Sequence, residues 1–227
     1  MRRFALLVAL AAVAGSFTAA GGIVPARAGG MRYSPAQKAL FATPHLANIT
    51  TRETITYRYV HVGPRPFTGS VAEAVTPVGN AGLRDVRVKF LPTSRYAATL
   101  SFPGFRGNPM VMVFLQHDVT LMHREFAYTP DFFRNKIRDA LLLSATVSPV
   151  TVTAGGRKLA GERILLHPFA GNPHFANLPA VTGKSYSFVL APKVPGMLVS
   201  ITAITPADPQ SGAPRLEDRM TYQGVHP

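Results

Sequence analysis

The chain has 227 residues, no cysteine, no tryptophan and a formal net charge of +13, from 24 Lys and Arg against 11 Asp and Glu. Without cysteine there is no disulfide, no thiol chemistry, no Cys-based zinc site and no lipid-modified N-terminal Cys of a bacterial lipoprotein. The basic residues stand singly or in pairs, with no run of about five or more like a nucleic-acid tail. No nucleic-acid motif accompanies them, so nucleic acid is not an expected partner.

Residues 1–28 read as a secretory signal peptide. Arg2 and Arg3 form a basic head, an apolar run starts at Phe4, and Ala26-Arg27-Ala28 supplies the small residues of a cleavage site. Gly21-Gly22 breaks the apolar run short of the ~20 residues that a membrane span needs. The expectation is a periplasmic or secreted protein, not an integral membrane protein, with residues 29–227 as a single domain. Removing the three arginines of the signal leaves 21 basic against 11 acidic residues, a balance of +10. That charge would steer the protein toward an anionic surface or an acidic envelope partner.

Residues 29–50 form an N-terminal arm, in which Ser34-Pro35 supplies a cap and first position for a short helix. Asn48-Ile49-Thr50 matches a glycosylation acceptor. From Glu53 the period becomes two: Ile55, Tyr57, Tyr59 and His61 point one way, and Thr54, Thr56, Arg58 and Val60 the other. Further strands are predicted over 67–78, 84–91 and 96–102. The second is weakened by Pro77, and the third alternates cleanly through Val86, Val88 and Phe90.

The middle of the chain is helical. Asn108-Pro109 is an Asn cap with Pro at the first helical position. The wholly apolar run Met110–Leu115 predicts a buried helix reaching about residue 123 or 125. Thr129-Pro130-Asp131 starts a second helix whose stripe is Phe133, Ile137, Ala140 and Leu141, ending near Ala145. Strands return over 147–153, 158–167, 184–190, 197–205 and 216–222, with Ala154-Gly155-Gly156 and Val194-Pro195-Gly196 as turns. Four strands, two helices and five strands predict an α+β fold. We expect a curved antiparallel sheet of about 8–9 strands, a half-barrel, with two central helices on its concave face.

The candidates for chemistry are few. His117, Asp118, His123 and Glu125 form a cluster, but His117 and His123 are six residues apart, roughly 240° around a helix, and share no face for a metal. His117 is expected to be hydrogen-bonded inside the sheet. No nucleophile elbow, phosphate loop, zinc-protease or calcium-loop pattern occurs, and no metal or other cofactor is expected. Gly-Asn-Pro occurs at 107–109 and 171–173 and reads as turn or cap chemistry. Met110, Phe114, Leu115, Leu121 and Met122 are candidate walls of an apolar ligand groove between helix and sheet. Arg134, Lys136 and Arg138 are a candidate docking patch for a phosphate head group or acidic partner.

The stretch Phe105-Arg106-Gly107-Asn108-Pro109 and its helix, the helix Phe132-Phe133-Arg134-Asn135-Lys136-Ile137-Arg138, the strand order and the late Val194-Pro195-Gly196 turn together resemble the periplasmic lipoprotein-carrier superfamily. They also resemble uncharacterised secreted bacterial proteins of the same half-barrel layout. The resemblance covers most of the chain after the signal and implies a groove for an apolar or acylated ligand and a non-enzymatic role. Three functions remain open at this point. They are a carrier for such a ligand, an envelope interaction module docking through its basic helix, and a hydrolase or metal-dependent enzyme using His117 and Asp118.

Overall fold

The computed structural model describes residues 33–79, 82–126, 128–208 and 212–227; the expected signal segment lies outside them. Nine strands form one open antiparallel sheet, curved as a half-barrel. They are β1 (Glu53–Val62), β2 (Phe67–Val78), β3 (Leu83–Phe90), β4 (Ala98–Phe105), β5 (Thr146–Ala154), β6 (Arg157–Leu166), β7 (Ser185–Leu190), β8 (Leu198–Thr205) and β9 (Leu216–His226). Their order across the sheet is β4-β3-β2-β1-β9-β8-β7-β6-β5. Two meanders are thus joined at the centre by β1 against β9, and β4 and β5 are the opposite edges. The chain between those edges has to cross the sheet, and it does so as the two long helices. The short N-terminal helix is α1 (Pro35–Gln37), and the long pair is α2 (Met110–Phe126) and α3 (Pro130–Leu143).

Local chemistry sets the elements. The alternation in β1 puts Ile55, Tyr57 and Tyr59 in the core, and in β3 it buries Val86, Val88 and Phe90 while Asp85, Arg87 and Lys89 face solvent. Pro77 is tolerated because it pairs with Arg84 near the end of its strand. β9 continues four residues past the predicted Tyr222, to His226. A bulge beside Thr56 and Tyr57 lets it keep its pairing with β1 there. Asn108 caps α2 by accepting the Met110 N–H at 2.9 Å, and Thr129 caps α3 by accepting that of Phe132 at 3.3 Å. Asn172, in the second Gly-Asn-Pro, accepts the His174 N–H at 3.1 Å in the same manner. Ser34 and Gln37 form a capping box, and the Ser34 hydroxyl donates to the Leu141 carbonyl at 2.6 Å, tying the arm to α3.

α2 lies on the inner face of the sheet, with Phe114 against the ring of Tyr59. α3 buries its predicted stripe, Phe133, Ile137, Ala140 and Leu141. The Asn48 side chain clamps the Val194-Pro195-Gly196 turn, donating to the Val194 carbonyl at 2.7 Å and accepting the Gly196 N–H at 3.0 Å. Asn48 is therefore occupied in the fold, where the sequence offered it as a glycosylation acceptor. Gly196 has φ +71°, and a Cβ there would lie 2.6 Å from the Ile55 side chain, so only glycine fits.

A buried polar chain fixes the start of α2. The Asn108 N–H donates to His45 Nδ1 at 3.3 Å, so His45 donates from Nε2 to the Ala39 carbonyl at 2.7 Å. Burial lowers the His45 pKa and favours the neutral ring that this pattern requires. Asn108 Nδ2 donates to the Gly196 carbonyl at 3.1 Å and to the Tyr57 hydroxyl at 3.3 Å, and Tyr57 donates to Glu73 Oε2 at 3.1 Å. Glu73 Oε1 is buried without a hydrogen-bond partner among the described residues. Burial pushes the Glu73 carboxyl up to about 8, against the opposing hydrogen bonds from Tyr57 and Asn108.

The sign of the resulting pH dependence follows. The folded chain holds this proton where the unfolded chain has released it, so the contribution is complete below the unfolded value of 4.5 and is lost as pH rises toward about 8. Glu73→Gln keeps the shape without the titration. Chemical denaturation of both proteins at pH 5 and pH 8 is expected to show the wild type losing more stability over that interval than Glu73→Gln, by up to about 1.4 kcal/mol per pH unit. Equal losses would mean that Glu73 is ionised throughout.

Candidate functional site

The N-terminal half of α2 meets large side chains. Phe114 packs on Tyr59, and His117 fits among the rings of Phe90, Tyr96 and Tyr59, with centroids 5.1, 5.0 and 6.0 Å away. Beyond Asp118 the Met122 sulfur lies 4.0 Å from the Tyr186 hydroxyl and Phe126 packs on Phe175, while Ala203 and Thr205 of β8 carry small side chains. A cavity of about 820 Å³ opens there, within the roughly 300–1,000 Å³ range of ligand pockets. Leu121, Met122 and Phe126 of α2 line one side, and Leu216 of β9 faces the same space. The segment after β6 closes another side. Phe169 and Phe175 anchor it against Phe133 of α3, and this positions Leu178 and Val181 on the cavity.

Two buried carboxylates lie at the cavity's sheet side. Asp118 of α2 accepts from the Lys184 ammonium at 2.8 Å and from the Tyr186 hydroxyl. Asp218 of β9 accepts from the Tyr59 hydroxyl at 2.6 Å and from His61 Nδ1 at 2.8 Å. Burial alone would raise the Asp218 pKa, but the hydrogen bonds from His61 and Tyr59, with the nearby charges of His61 and Lys184, bring it below the ordinary value. Burial and the Asp118 carboxylate push the Tyr186 hydroxyl far up, so it remains a donor. Both carboxylates are therefore supplied with donors from within the protein. Among the described residues, no Ser, Thr or Lys side chain is hydrogen-bonded to His61, so the His61–Asp218 pair lacks the activated nucleophile of covalent catalysis. Among those residues, no group of three His, Asp or Glu side chains is placed to hold a metal ion.

The structure separates the candidates read from the sequence. Leu121 and Met122 line the cavity; Met110, Phe114 and Leu115 do not. Met110 and Phe114 are core residues, 0% and 1% exposed, and Leu115 packs on the same core. A charge at Phe114 would test folding and not binding. His117 makes no hydrogen bond among the described residues, contrary to expectation; the rings around it replace one, and burial lowers its pKa. His117 and Asp118 point to different partners and form no acid–base pair. His123 donates from Nδ1 to the Tyr128 carbonyl, just past the end of α2, at 2.7 Å, and Glu125 borders the cavity. On α3, Arg134 is bound to Asp131 at 2.7 Å and to Gln116 at 2.8 Å, and Arg138 to Asn135 at 2.9 Å. Both are exposed, Lys136 is half-buried, and the three do not form one continuous face.

Sequence reasoning missed Lys184, Tyr186 and Asp218, and gave His61 no role beyond the face it shares with Tyr57 and Tyr59. One signal was present. Asp218 stands two residues before the buried Met220, where the alternation calls for an apolar side chain. Its partner was not legible, because His61 meets Asp218 only through the β1–β9 register.

No protein-family profile matches the chain, and no curated protein matches it. Among solved structures it is similar to the Mycobacterium tuberculosis lipoprotein LppX, at 9% sequence identity and a TM-score of 0.32, over 83% of this chain and 94% of that one.

Breaking the buried Asp118–Lys184 pair from one side should be costly. Asp118→Ala leaves an ammonium and a phenol without their acceptor, and is expected to destabilise the fold by about 3–5 kcal/mol. Asp118→Ala combined with Lys184→Met should recover most of that loss. Denaturant titration of the two variants reads the difference; a single-variant cost under about 1 kcal/mol would place the pair in solvent.

Proposed function

We propose that this protein is a non-enzymatic binding or carrier protein of the bacterial envelope, delivered there by a signal peptide in residues 1–28, and that it holds an apolar or acylated ligand. The observation that carries this reading is the cavity of about 820 Å³ between α2 and the β8–β9 side of the sheet. Its walls are the aliphatic and aromatic side chains of Leu121, Met122, Phe126, Leu178, Val181 and Leu216. Filling such a space with water leaves apolar surface hydrated, whereas an acyl chain recovers about 25 cal/mol for each Å² it covers. Two of the carboxylates beside it, Asp118 and Asp218, are satisfied by donors from within the protein. The lack of a long apolar helix among the described residues fits a protein that does not cross a bilayer by helices.

Native mass spectrometry of protein purified from cells without detergent tests the proposal. A reproducible additional mass, released by organic solvent and lipid-like in composition, is the expected result. Leu121→Gln with Leu178→Gln should reduce ligand retention at least about tenfold, since each removes apolar contact worth one or two kcal/mol. Thermal melting should stay close to wild type, because Leu178 is 41% exposed and Leu121 is only half-buried. Retention unchanged in the folded double variant would place the ligand elsewhere.

A further inference from the structure

The main cavity does not end at its apolar walls. A second chamber of about 400 Å³ adjoins it, and His61, Arg65, Arg95 and Tyr96 line both. We propose that this side chamber is a subsite for an anionic head group, a phosphate or carboxylate, of an amphiphile whose tail occupies the main cavity. This rests on the carrier reading and adds the chemical class of its ligand.

Three features of the chamber point to an anion. No Asp or Glu lines it, although Glu125, Asp118, Asp208 and Asp218 line the main cavity. Arg65 makes no hydrogen bond or ion pair among the described residues. Among the described residues Arg95 donates only to the Tyr96 hydroxyl, at 2.5 Å, with its guanidinium 4.8 Å from the centre of that ring. A guanidinium carries five N–H donors, so both arginines keep most of their capacity for a planar or tetrahedral oxyanion. Thr68 and Thr93 add hydroxyl groups to the same lining.

The local fold makes the arrangement stable. Arg65 belongs to the β1–β2 turn and Arg95 to the β3–β4 connection, and the adjacent strands bring these two loops to one end of the sheet. Tyr96 is braced by Phe67 at 6.1 Å and His117 at 5.0 Å, so the boundary between chamber and cavity is a packed aromatic side chain. His61 is held by Asp218 on the same boundary. An amphiphile entering tail first would thus leave its polar end beside two uncommitted cations. The basic face of α3 offers no comparable site, because Arg134 and Arg138 are already bound to Asp131, Gln116 and Asn135.

The test is competition against a neutral apolar reporter, N-phenyl-1-naphthylamine, bound to the purified full-length protein after signal removal. Hexadecyl phosphate and hexadecanol share a tail and differ in head-group charge. Hexadecyl phosphate is expected to displace the reporter at least about tenfold more tightly than hexadecanol, and Arg65→Gln with Arg95→Gln should shrink that ratio to about twofold or less. Because Arg65 and Arg95 also border the main cavity, hexadecanol measured on the same variant is the reference against which the loss of phosphate selectivity is read. Arg134→Gln with Arg138→Gln should leave the ratio as in wild type, and added salt should reduce it, because the arginines are exposed. Equal displacement by the two amphiphiles, or selectivity that survives the Arg65 and Arg95 substitutions, overturns the subsite while reporter binding still upholds the carrier reading. A folded protein that binds neither reporter nor amphiphile overturns both. Inorganic phosphate that competes as well as hexadecyl phosphate would show a free-anion site and overturn the amphiphile.

Discussion

The docking of α2 across the inner face of the sheet is the constraint on which the rest of this structure depends. β4 and β5 are opposite edges, so the chain between them has to cross one face, and that face is apolar. A helix satisfies its own backbone hydrogen bonds and can be buried with an apolar side chain at almost every position. The run from Met110 to Leu115 meets that requirement. Full burial of a side chain such as Phe114 or Met110 contributes about 1.5–3 kcal/mol, and these residues do so against Tyr59 and its neighbours.

Apolar contact alone would let the helix slide. Two buried polar groups fix its position. At the start, Asn108 is bound to His45, Tyr57 and Gly196 at once, which ties the cap of α2 to the arm, to β1 and to the turn before β8. Midway, Asp118 is bound to Lys184 and Tyr186 at the start of β7. Each is costly to leave half-made, so a shifted helix would lose both sets of partners together. Glu73, next to Tyr57 in this chain, is buried with its Oε1 unmatched among the described residues, and that burial raises its pKa.

The cavity is a consequence of the same docking. Once Asn108 and Asp118 fix the helix, its C-terminal half borders a cavity that the small side chains of Ala203 and Thr205 also line. Close packing is the rule in protein interiors, and the space departs from it where apolar walls meet a polar rim. Apolar and basic walls lie next to each other because Leu121 and Met122 are on the helix while Arg65 and Arg95 are on the loops at the end of the sheet. Asp118 and Asp218 are each paired within the protein, and the side chamber is lined by arginines without any Asp or Glu.

By itself the sequence determined the elements of this protein. Alternation in 84–91, the Asn108-Pro109 and Thr129-Pro130 starts, and the stripe Phe133, Ile137, Ala140, Leu141 are local signals, because hydrogen bonding and capping act within a few residues. The count and order of strands, and hence the antiparallel half-barrel, followed from them. Leu121 and Met122 were legible as apolar helix residues, yet nothing in the run distinguished them from Met110, Phe114 and Leu115, which fill the core. That distinction was decided by what each side chain meets in the fold: Phe114 packs on Tyr59, whereas Leu121 and Met122 border the cavity, Met122 with its sulfur on Tyr186. The carboxylate sites were decided in the same way: Tyr59 and Asp218 are 159 residues apart, and Asp118 and Lys184 are 66 apart. Periodicity reports which side chains share a face, but only the strand register and the seating of α2 decide which faces meet.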